Sequence, residues 1–216
     1  MPTITIQTLL WSIPGIIIAV VLSEFTKSLI AYKLGDEGVK TQKRLTLNPL
    51  RHMDPLGSIF MLIFRFGWSK PVKLTPFAYK DKRKAMIILF FAPFLVNLLV
   101  GISFALLSSF WAANMSYQEE MSRIIYGVLL HTSFLNLNFA FLNILPIYPL
   151  NGILLINGIN PQAGVKLIQM EKALQAILAL LIIFGAVNFI IRPIVGLVFN
   201  TFAGSIFQSV GFWLFI

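Results

Sequence analysis

Cysteine is absent from the 216 residues. Disulfides and thiolate-ligated metal sites are therefore excluded, and redox chemistry says nothing about compartment. Charge is scarce as well: 12% of residues are Asp, Glu, Lys or Arg, where a soluble domain carries about 25%. Acids are fewer than bases, 8 against 17, and there are only two histidines. No Gly/Ser-rich linker, low-complexity tract or convincing internal repeat divides the chain, so residues 1–216 read as one domain.

What is abundant is apolar surface. Hydrophobic residues make up 57% of the chain and the mean hydropathy is +0.84. A bilayer-spanning helix needs about 20 mainly apolar residues. Four runs qualify, 8–32, 85–111, 122–145 and 173–191, which predicts an all-α polytopic membrane protein. Residues 55–68 are apolar but too short to cross comfortably, and are expected to be re-entrant. Residues 162–172 are expected at the interface, and the apolar segment 193–216 as a last span or an interfacial helix. The first run lacks a basic flank and a small-residue cleavage site, so it is expected to be a retained helix rather than a signal peptide.

Charge then orients the chain. Of the 17 Lys and Arg, 12 lie in 33–54 and 65–84, whereas the loop at 112–121 has two Glu and no base. The positive-inside rule places both basic segments in the cytoplasm. Both can be there only if 55–68 enters and leaves on one side. The net charge of +9 is thus read as attraction to anionic lipid, making the bilayer itself a partner. No basic stripe interleaved with aromatics suggests nucleic acid.

Two features are out of place in a membrane. Glu24 and Lys27 lie inside the first run, three residues apart, with Ser23 four before Lys27, so all three share one helical face. Ionisable residues at such depth mark functional sites by default, although Glu24 and Lys27 could simply neutralise each other. The second feature is Asn143-Ile-Leu-Pro146-Ile-Tyr-Pro149-Leu-Asn151-Gly152, a broken helix. Backbone freed by proline is tolerated at membrane depth where it lines a cavity or is buried in protein. A plain helix end at the interface would have the same composition. His52 is expected to bond Asp54 or backbone, and His131 a neighbouring helix or backbone group.

Together these segments resemble the site-2 protease family of zinc intramembrane metalloproteases, in its short bacterial form. SEFTK at 23–27 stands where that family carries HExxH, and NILPIYPLNG at 143–152 resembles its NxxPxxPLDG element. RLTLNPLRHMDPLGSIF at 44–60 and FGWSKPV at 66–72 also resemble these relatives, so the similarity runs over about residues 15–155. The resemblance implies a site-2-type helical core in a bacterial plasma membrane, with a groove between the first helix and the broken element. It implies that Glu24 occupies the general-base position and that Ser23, Lys27 and Asn151 occupy the three zinc-ligand positions. None of those three is a good zinc ligand, so no zinc is expected, although active relatives hold it. The expectation is a pseudoprotease whose groove, with Asn143, Pro146, Pro149 and Gly152, takes a transmembrane segment of another protein or an active paralogue. A zinc endopeptidase with unusual ligands, a Ser23–Lys27 hydrolase and a non-enzymatic polar cleft are the alternatives.

Overall fold

The computed structural model describes residues 5–114, 116 and 118–203. Helix α1 (Ile6–Lys33) begins at Thr5, whose hydroxyl accepts from the Thr8 amide at 3.2 Å while Thr8 bonds back to the Thr5 amide. It stops at Gly35, where φ is +108°, a conformation that costs glycine little. Two short helical turns follow, α2 (Gly38–Thr41) and α3 (Pro49–His52), and then α4 (Pro55–Phe64).

Asp54 caps α4 by accepting from the Gly57 amide at 2.8 Å, and Arg65 ends it in a left-handed conformation at φ 65°. With 10 residues, α4 rises about 15 Å, half of a hydrocarbon core of about 30 Å. The chain then doubles back: Met53 and Ser69 form an antiparallel bridge, and the Lys70 amide donates to the His52 carbonyl at 2.8 Å. The segment therefore leaves and returns at one place.

The long helices α5 (Lys82–Asn114) and α6 (Glu120–Leu142) follow. Of the long apolar helices, α6 is the most buried. It contacts α1 closely because a side chain at Gly15 would come within 2.8 Å of the Thr132 Cα. Against α5, the Ser133 hydroxyl donates to the Gly101 carbonyl at 2.8 Å. Beyond α6 come α7 (Gly152–Ile159), α8 (Pro161–Gln169), α9 (Glu171–Ile183) and α10 (Ala186–Ala203). Leu137, Leu178, Ile182, Val195 and Phe199 share a core cluster that joins α6, α9 and α10.

Four helices are long and apolar enough to cross a membrane: α1, α5, α6 and α10. The all-α polytopic fold class is thus borne out. The run 173–191 needs correcting, because it is not one helix. Gly185, at φ 77°, closes α9 with its amide on the Ile182 carbonyl at 3.0 Å, and α10 starts one residue later. The fourth long apolar helix is α10, which begins within the run 173–191 and extends into the expected C-terminal segment 193–216. Residues 204–216 of that segment lie outside the described residues.

Candidate functional site

Ser23, Glu24 and Lys27 project from one face of α1 and are all buried, Glu24 at 0% exposure and Lys27 at 4%. The Lys27 ammonium donates to Glu24 Oε1 at 2.6 Å and to Asn151 Oδ1 at 2.7 Å. The first contact is local; the second spans 124 positions of sequence. A third element joins them, because the Ser69 hydroxyl donates to the same Glu24 oxygen at 2.8 Å. One carboxylate oxygen thus receives an ammonium and a hydroxyl, while Glu24 Oε2, Ser23 Oγ and Asn151 Nδ2 are buried without a hydrogen-bond partner among the described residues.

The broken element builds the Asn151 side of this cluster. Asn143 caps α6 and is itself fixed, its Nδ2 donating to the Phe139 carbonyl at 2.8 Å. Its Oδ1 then accepts from the Asn151 backbone amide at 3.2 Å. Gly152 starts α7 so close to the turn that a Cβ would lie 2.3 Å from the Ile144 carbonyl oxygen. Pro149 is buried and follows a cis peptide, whereas Pro146 is exposed at the crest of the turn.

Ser23 and Lys27 share the face but not a hydrogen bond, since the ammonium is directed to Glu24 and Asn151. His52 lies with Nε2 2.7 Å from the Thr46 carbonyl, not on Asp54, and burial pushes its pKa below the ordinary imidazole value. Asp54 instead receives the Trp68 indole N–H at 3.1 Å. His131 sits with Nδ1 2.7 Å from the Gly127 carbonyl and its ring edge-on to Trp11. Among the described residues, no three His, Cys, Asp or Glu side chains converge where they could hold a metal.

Two residues of this architecture carried no assigned role in the sequence. Ser69 belongs to the quoted FGWSKPV segment, and only the return of the re-entrant element brings it to Glu24. Arg44 is buried and donates to the carbonyls of Arg51 at 2.5 Å, Lys70 at 3.2 Å and Pro71 at 3.1 Å. It fastens the chain on both sides of the re-entrant segment, and burial lowers its pKa from the usual guanidinium value.

Fold and site define a multi-pass membrane protein with a buried polar cluster joining its first helix to a broken helix and a re-entrant return. No family profile matches the chain, and no solved structure matches it. A protein of Bacillus subtilis (strain 168) described as "Putative zinc metalloprotease YwhC" is 33% identical over 159 residues, which cover 73% of each chain. The chain belongs to the site-2 protease family.

Proposed function

We propose that this chain is a proteolytically inactive member of its family, which binds or regulates segments of other membrane proteins. The observation that carries this reading is the Lys27 ammonium held between Glu24 and Asn151. By the motif resemblance, Ser23, Lys27 and Asn151 are the residues at the family's metal-ligand positions in this reading. Zinc favours imidazole, thiolate and carboxylate donors. A hydroxyl, an ammonium and a carboxamide do not suit it, and the ammonium already occupies the contact with Glu24. A fixed positive charge replaces a bound cation as the counter-ion of the carboxylate, and Asn151 supplies a neutral acceptor where a second carboxylate would over-compensate.

Burial is the further support. A charge removed from water needs a partner or it is strongly destabilising, so this arrangement is self-consistent as a closed structural site. The groove that the resemblance implies between α1 and the 143–152 turn is the proposed place for a membrane segment, and the bacterial plasma membrane the proposed location. The identity to a described zinc metalloprotease favours a second reading, a working zinc endopeptidase. Metal analysis of the purified full-length protein, together with cleavage of a model transmembrane substrate, decides between them. The expected result is substoichiometric zinc and no cleavage. Stoichiometric zinc with chelator-sensitive cleavage would reject the inactive reading.

A further inference from the structure

Arg44 has a second effect, away from the buried cluster. The turn after α2 is closed by backbone: Lys43 adopts φ 55°, its amide donates to the Lys40 carbonyl at 2.9 Å, and the Arg44 amide donates to the Val39 carbonyl at 3.0 Å. This fixes Lys40 and Lys43 on one turn. Arg44 then points inward and grips the Arg51 carbonyl, which draws a third cation to the same place. The result is a pocket of about 480 Å³ lined by Lys40, Lys43, Leu45, Thr46, Asn48 and Arg51.

No lining residue is acidic. The nearest acids along the chain, Glu37 and Asp54, each three residues from a lining cation, make no ion pair among the described residues, and neither do Lys40, Lys43 or Arg51. Three cations concentrated without an anion favour a multiply charged oxyanion, for which Lys and Arg are the usual ligands. Asn48 and Thr46 add neutral polar groups to the wall. Next in sequence to the lining residues Thr46, Asn48 and Arg51, Leu47 is 60% exposed and Leu50 81% exposed, so exposed apolar side chains accompany the polar centre. This combination matches a lipid at the interface: phosphate in the pocket, acyl chains against the leucines. The basic segment 33–54 is also one of the two that charge assigns to the anionic cytoplasmic leaflet.

We propose that the Lys40–Lys43–Arg51 pocket binds the phosphate of an anionic lipid headgroup. The chemistry recognised is a phosphate oxyanion, and the flanking leucines assign it to lipid rather than to free phosphate.

The test is native mass spectrometry of the full-length protein, released from detergent after exposure to short-chain phosphatidylglycerol or phosphatidylcholine. Wild type is expected to retain the phosphatidylglycerol at least tenfold better. The double variant Lys40→Gln/Lys43→Gln, and separately Arg51→Gln, are expected to lose most of that preference while eluting as wild type on size exclusion. A control, Lys82→Gln/Lys84→Gln, removes as much charge from the start of α5 and should leave the preference intact. Equal loss in the control would overturn the pocket in favour of diffuse surface charge. Equal retention of the two lipids would overturn it outright. Competition by inorganic phosphate at millimolar concentration would reassign the pocket to free phosphate and overturn the lipid.

Discussion

Replacing Lys27 by methionine keeps the length of the side chain and removes its charge. In the wild-type protein the Glu24 carboxylate receives the ammonium at 2.6 Å and the Ser69 hydroxyl at 2.8 Å. In the variant only the hydroxyl remains, Asn151 Oδ1 loses its donor, and Glu24 is still 0% exposed. Breaking a buried ion pair from one side costs about 3–5 kcal/mol. The assay is unfolding in mixed micelles by SDS titration at neutral pH, followed by tryptophan fluorescence. The companion double variant, Lys27→Met/Glu24→Gln, removes both charges and should recover about half or more of the loss, since removing both partners leaves no unpaired ion. A Lys27→Met cost under about 1 kcal/mol would put the pair in the range of exposed ion pairs and refute the reasoning. So would a double variant no more stable than the single one.

Ser69→Ala should cost about 1–2 kcal/mol, because it removes one of two donors to a buried carboxylate; equal unfolding midpoints for variant and wild type would show that the hydroxyl contributes nothing. Gly152→Ala puts a Cβ against the Ile144 and Leu145 carbonyls at 2.3 and 2.4 Å. It should cost at least about 1–3 kcal/mol and weaken disulfide trapping between cysteines placed at positions 27 and 151. Arg44→Met leaves three carbonyls without their donor and should open the 44–71 region to limited proteolysis; an unchanged digestion pattern would count against its role as a fastener. The Tyr148 hydroxyl is pushed up to about 12 by burial, with Glu171 beside it adding to the effect. Because its folded pKa is raised, its contribution is intact below about pH 10 and is lost as pH rises through 12. Tyr148→Phe should therefore flatten the alkaline limb of the stability profile.

The apolar runs and the shared face of Ser23, Glu24 and Lys27 were legible because helical periodicity and span length are local properties. The doubling back around α4 agrees with the shortness of the 55–68 run and the positions of the charges on either side of it. Three things were not legible. The α9–α10 break is invisible to hydropathy, because Phe184-Gly185 sits in a run that is apolar on both sides; what ends the helix is a positive φ, not a polar residue. Ser69 meets Glu24 only through the doubling back of the chain, a tertiary event that no spacing records. Arg44 looked like one more basic loop residue, and its inward turn follows from carbonyls at 51, 70 and 71 converging on it. Asn151 is intermediate: the motif drew attention to it, but its partner could not be read from periodicity across 124 positions.

That long separation has a consequence for biosynthesis. As the chain is made, α1 reaches the bilayer well before Asn151 has left the ribosome. During this interval Lys27 can be neutralised only by a residue of its own helix, and Glu24, one turn back, is the acid within reach. The same contact that closes the finished cluster therefore also compensates the lysine within its own segment before the distant amide exists.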